Sequence, residues 1–94
     1  MSERTAPSLA KLDALLPLLA ALPPSPTAAR LTEDTEALRR AVAAFHMEGI
    51  RFRMHSVDRT LHAEGDPPEI RQAFEDVRHA LEAAGFHTRS HTAP

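Results

Sequence analysis

Between residues 50 and 55, apolar and basic residues alternate strictly, and this pattern restricts the possible folds more than any other feature of the chain. A period of two places successive side chains on opposite faces of a β-strand. The alternation therefore predicts a strand. A loop over residues 56–59 and a second strand over residues 59–65 would complete an antiparallel hairpin with one apolar and one polar face.

Three other segments have the three-and-four spacing of apolar residues that is typical of amphipathic helices. Their predicted limits are residues 8–22, Thr32 or Asp34 to Gly49, and Asp66 or Pro67 to Gly85. Gly85 is expected to end the last helix, with Phe86 closing on Leu81. A short third strand is expected over residues 87–90.

This order of elements predicts an α+β fold. An N-terminal helix is followed by a helix–strand–strand–helix–strand unit, in which helices cover one face of a small antiparallel-type sheet. Four residues, Pro-Pro-Ser-Pro, end the first helix and form a stiff connector. We therefore expect a Leu-rich helix and connector over residues 1–26 and a small α+β domain over residues 27–94.

Residues 32–91 resemble, in the order of their predicted elements, small modules of bacterial envelope and secretion assemblies such as BON domains. Those modules also run helix, hairpin, helix, strand, and they carry a glycine just after the second strand, where this chain has Gly65. The resemblance rests on no diagnostic motif. It implies a fold and no activity.

Composition excludes several classes of site. The chain of 94 residues has no cysteine, which excludes disulfides, thiolate metal sites and a cysteine nucleophile. Its longest apolar run, residues 14–22, is too short to span a membrane. We expect a cytoplasmic protein, although residues 1–29 also have some features of a secretory signal.

Six histidines are scattered along the chain, but they lack the close spacing that is typical of metal sites. Neither a nucleophile elbow nor a glycine-rich phosphate loop is present. We therefore expect no metal site, no cofactor and no enzymatic activity.

The polar face of the predicted hairpin offers an alternative function. Its basic and imidazole side chains are candidates for nucleic-acid binding, since a two-stranded ribbon fits the major groove. These residues are Arg51, Arg53, His55 and His62 on the face, with Arg59 at the tip of the hairpin. The formal net charge of −2 argues against this function.

A non-enzymatic protein-interaction or assembly module is the function that we favour from the sequence. The leucine stripe of the first helix either covers the chain's own core or forms an interface. The candidate interface residues are Leu9, Leu12, Leu16 and Leu19. A small chain gains stability by burying such a stripe against a second copy, so the expected partner is the protein itself, as a homo-oligomer.

Overall fold

Four α-helices form the computed structural model, which describes residues 3–86 and residue 88. The helices are α1 (Ala6–Ala20), α2 (Pro26–Ala43), α3 (Met47–Ala63) and α4 (Pro68–Ala83). No strand is present among the described residues, so the predicted α+β fold is wrong. The protein is an all-helical bundle.

The segment that was predicted to form the hairpin is the single helix α3. Its buried residues are Ile50, Met54, Val57 and Leu61, which repeat at intervals of four, three and four. This helical stripe runs the length of α3, whereas the alternation of period two covers only six residues. Because Ile50 and Met54 fit both patterns, the short alternation concealed the longer one.

The helix starts explain a second error. α2 begins at Pro26, with the Ser25 hydroxyl accepting a hydrogen bond from the Ala28 N–H at 3.0 Å. Proline is favourable at the first helical position because it has no N–H to leave unpaired. The Pro-rich segment was predicted to be a connector, but its last proline starts a helix.

The helix ends confirm one prediction and correct another. Gly85 has a φ of +96°, and the Phe86 N–H donates to the Leu81 carbonyl at 2.9 Å, as the sequence predicted. α2 was expected to end at Gly49, but it ends before Phe45, which adopts a left-handed φ of +57°. Gly49 instead lies in the first turn of α3.

One core joins all four helices. α1 packs closely against α2 and α4, and α2 packs closely against α3. The core consists of Leu9, Leu12, Leu15, Leu19, Leu31, Leu38, Val42, Ile50, Met54, Val57, Leu61, Ile70, Phe74, Val77, Leu81 and Phe86. The boundary predicted after residue 26 follows the α1–α2 loop, and leucines on both sides of that loop share this core.

Some expectations concern the ends of the chain. The predicted strand over residues 87–90 lies outside the described residues, apart from Thr88, which belongs to no strand. A signal-type cleavage near residues 27–29 would cut α2 and remove the α1 leucines from the core. Within the described part of the chain, no helix has both the length and the apolarity to cross a membrane.

Replacing Gly49 by Ala is expected to destabilise the protein, although this exchange inside a helix ordinarily stabilises by about 1 kcal/mol. The His46 ring caps α3, with Nδ1 accepting a hydrogen bond from the Gly49 N–H at 2.8 Å. A Cβ atom at residue 49 would lie 2.7 Å from this Nδ1 and 3.2 Å from the Ala41 Cβ. The added methyl group therefore displaces the cap, and urea unfolding measures the loss.

His46→Ala provides the matched background. Loss of the cap alone should cost about 0.5–2 kcal/mol. Gly49→Ala should then be less damaging in the His46→Ala protein than in the parent, because the obstructing ring is absent. The same cost in both backgrounds would show that the ring is not the obstacle.

Candidate functional site

Four of the five proposed nucleic-acid-binding residues share one side of α3. Arg51, His55, Arg59 and His62 are spaced by four, four and three residues, which places them on one helix face. His55, Arg59 and His62 are exposed, and Arg51 is half-buried. The hairpin that was expected to bring them together is wrong, but helical spacing also brings them together.

Arg53 lies apart from this group and has a structural role. Its guanidinium donates to Asp34 of α2 at 2.8 Å, and the Ser56 hydroxyl donates to the other oxygen of the same carboxylate at 2.8 Å. Asp34 is only 8% exposed. A buried carboxylate is costly unless it is paired and hydrogen-bonded. The three side chains therefore join α2 to α3.

The predicted strand over residues 50–55 would place Phe52 on the apolar face of the hairpin, but in α3 it is 62% exposed. The Arg53 guanidinium carbon lies 5.1 Å from the centre of its ring, a cation–π contact. With Arg53 held by Asp34, this contact orients the ring at the surface. The sequence pattern indicates this exposure, since Phe52 is not part of the apolar stripe of α3.

An open groove of about 510 Å³ runs between α2 and α3. Its lining includes Arg30 from α2 and Phe52, His55, Ser56 and Arg59 from α3. The sequence did not indicate Arg30, because α2 was expected to begin after it. The groove combines cationic groups with an exposed aromatic ring.

Polar side chains link α3 to α4 on a different side of the bundle. Arg71 donates to Asp58 at 2.7 Å, to Asp66 at 2.8 Å and to Glu75 at 3.1 Å. Burial lowers the pKa of Arg71, but these three carboxylates outweigh burial and hold the pKa above its ordinary value. These contacts within the protein account for the guanidinium of Arg71, which therefore has a structural role.

Arg78 extends this set of contacts and is almost fully buried. It donates to Glu75 at 3.1 Å and to the Thr88 carbonyl at 3.0 Å. Arg71 and Arg78 also lie 5.4 and 5.3 Å from the ring centre of Phe74, which is completely buried. These contacts account for the buried charges without invoking a ligand.

The proposed interface leucines lie mostly inside the chain. Leu9, Leu12 and Leu19 belong to the core, and Leu16 is half-buried. The stripe therefore covers the chain's own core, which was the other interpretation of its pattern. An interface on this protein has to use other residues.

No group of three or more potential metal ligands occurs in residues 3–86 and 88. His55 and His62 are seven positions apart on α3, which corresponds to about 10 Å along the helix axis. His87 and His91 lie outside the described residues.

Comparison of the chain with protein-family models, with curated proteins and with solved structures gives no match.

Replacing Arg53 by Ser should lower the free energy of unfolding by about 1–3 kcal/mol, because the buried Asp34 carboxylate then loses its cationic partner. Arg51→Ser should change it by less than about 0.5 kcal/mol. The two variants carry the same charge change on the same helix, and Arg51 has no ion pair among the described residues. Equal losses in urea unfolding would contradict the role assigned to Arg53.

Asp66→Asn should reduce stability near neutral pH and have little effect in acid. Hydrogen bonds from Arg71 and His62 hold the pKa of Asp66 below its ordinary value of 3.8. A lowered pKa stabilises the folded state above about pH 4, and this stability is lost as the pH falls through the folded-state pKa. Thermal unfolding between neutral and strongly acidic pH compares the two proteins.

Asn tolerates the left-handed φ of +51° at residue 66, so the exchange tests the charge and not the turn. The gap between the two melting temperatures should close in acid. A difference in melting temperature that stays constant with pH would mean that the charge of the Asp66 carboxylate does not stabilise the fold.

Proposed function

We propose that the protein is a non-enzymatic interaction module that binds a protein partner through the outward face of α3. This face comprises Arg51, Phe52, His55, Arg59 and His62, and Met47 is exposed at the N-terminal end of the helix. Glu48 adds one carboxylate near its N-terminal end. The observation that carries the proposal is the exposure of Phe52 on the same helix as Arg51 and Arg59, which form no salt bridge with any described residue.

The composition of this face supports a protein partner. Aromatic residues, methionine and arginine are enriched at protein interfaces, and a few aromatic and arginine side chains supply most of the binding energy. Phe52 is 62% exposed and Met47 is 46% exposed. Arg53 restrains the Phe52 ring, so less side-chain freedom is lost when a partner covers it.

Burial of the α1 leucines removes the observation from which self-association was predicted. A second copy of the chain remains one possible partner, and its mass in solution provides a direct test. The α3 face can serve either a homo-oligomer or a different protein.

Nucleic-acid binding is the second candidate, because Arg51, His55, Arg59 and His62 share one helix face. The net charge of −2 counts against it. Binding to a polyanion should weaken steeply with salt, because phosphate contacts release counterions. A salt titration against an oligonucleotide therefore tests this candidate.

Phe52→Ser should weaken partner binding strongly and leave the fold intact, since most of the ring is exposed. The parent, Phe52→Ser and the control His79→Ser, an exposed site on α4, would each be immobilised. Each immobilised protein would be exposed to a cell extract. A protein that the parent and His79→Ser both retain is then purified and titrated against the parent and the two variants. We expect Phe52→Ser to weaken binding by about 2 kcal/mol or more.

Light scattering on the same three proteins tests self-association. A mass that is a multiple of 10.3 kDa in the parent and in His79→Ser, but not in Phe52→Ser, identifies a second copy as the partner. A monomeric mass, together with no partner that depends on Phe52, contradicts the proposal. Circular dichroism confirms that each variant is folded.

A further inference from the structure

The groove between α2 and α3 borders the outward face of α3 and contains cations that lack a counterion. Arg30 and Arg59 both line it, and neither forms a salt bridge with any described residue. His55 adds an imidazole, and the lining includes no aspartate or glutamate. This is a cationic surface on a chain whose formal net charge is −2.

Other arginines of the protein contrast with these two. Arg39, Arg53, Arg71 and Arg78 each have a carboxylate within salt-bridge distance. The fold thus supplies acidic partners at the helix contacts, but the α2–α3 groove has none. A guanidinium in a concave surface is well placed to bind an external carboxylate in bidentate geometry.

The α3 wall of the groove is held in place by the buried Asp34. This carboxylate accepts from Arg53, which lies over Phe52, and from the Ser56 hydroxyl, which lines the groove. One buried residue therefore positions both the aromatic ring and the adjacent polar wall. A surface fixed in this way loses little conformational entropy on binding.

We infer that this groove receives an acidic peptide segment of a partner protein, with an apolar side chain against Phe52 and carboxylates at Arg30 and Arg59. The inference rests on the proposed function and names the chemistry of the partner. Two arginines and one histidine match a segment with a few carboxylates. The net negative charge of the chain disfavours a long polyanion such as a nucleic acid.

Two short fluorescent peptides of equal length test the inference directly. One repeats Glu-Glu-Leu, and the other repeats Gln-Gln-Leu, so that the peptides differ only in charge. Anisotropy titrations would use the full chain at about 150 mM salt, where weak long-range attraction is screened. We expect the Glu peptide to bind roughly tenfold more tightly than the Gln peptide.

Two double variants locate the site. Arg30→Ser with Arg59→Ser removes the groove cations, and Lys11→Ser with Arg40→Ser removes two exposed cations outside the groove lining. Both variants change the net charge equally. The first should lose roughly tenfold in affinity for the Glu peptide, and the second should stay within about twofold of the parent.

Equal binding of the two peptides, no binding of the Glu peptide, or equal losses in both double variants overturns the inference. An oligothymidylate of matched length is the third probe. If it binds more tightly than the Glu peptide and depends on Arg30 and Arg59, the groove is a nucleic-acid site and the inference is wrong. If the Glu peptide does not bind but a partner that requires Phe52 is found, the inference of an acidic occupant is wrong and the proposed function stands. If neither the Glu peptide nor any partner that requires Phe52 binds, the proposed function is wrong too.

Discussion

The apolar stripe of α3 packs against α2 and sets the rotation of α3 about its own axis. Ile50, Met54, Val57 and Leu61 are completely buried, and burying each such side chain contributes roughly 1.5–3 kcal/mol. Rotating α3 to bury Phe52 would expose members of this stripe. The position of the outward face, and hence of the groove, follows from where these four side chains lie.

The polar contacts of α3 refine this arrangement and differ between its two neighbours. Towards α2, Arg53 and Ser56 share the buried carboxylate of Asp34. Towards α4, Asp58 accepts from Arg71. Paired groups of this kind contribute little net stability by themselves, but removing one partner leaves a costly uncompensated charge. They therefore restrict the ways in which the helices can pack, and the apolar core supplies the driving force.

The sequence predicted those elements whose local signals agree with one another. α4 combines a proline start, a continuous apolar stripe and Gly85 at its end, and it forms close to the expected limits. α3 was missed because a short alternation of period two overlaps a helical stripe, and only packing against α2 selects between them. The start of α2 was predicted too late because Pro26 was assigned to a connector, although proline also starts helices.

The candidate site also contains residues that the sequence pattern grouped and one that it did not indicate. α3 places Arg51, His55, Arg59 and His62 on one face through intervals of four, four and three, although the hairpin that was predicted to bring them together is wrong. Arg53 was grouped with them because a strand places it beside Arg51, whereas a helix turns it towards Asp34. Arg30 belongs to the candidate site only because α2 packs against α3. A correct start of α2 would have included Arg30 in the helix, but no pattern within one segment could have shown that it lies beside α3.

The distribution of ion pairs connects the stability of the fold with its capacity to bind. Where helices meet, arginines are matched by carboxylates of this chain, as Arg71 is by Asp58 and Asp66. Along the α2–α3 groove, Arg30 and Arg59 have no such match within the described residues. Folding does not require these two charges, because exposed charges contribute little to stability. They can instead contribute to binding when a partner supplies the carboxylates and its apolar side chain excludes water around Phe52. Desolvation strengthens a charge-assisted hydrogen bond only if both charges are matched. A surface built in this way discriminates against neutral segments, which would leave its arginines buried and unpaired.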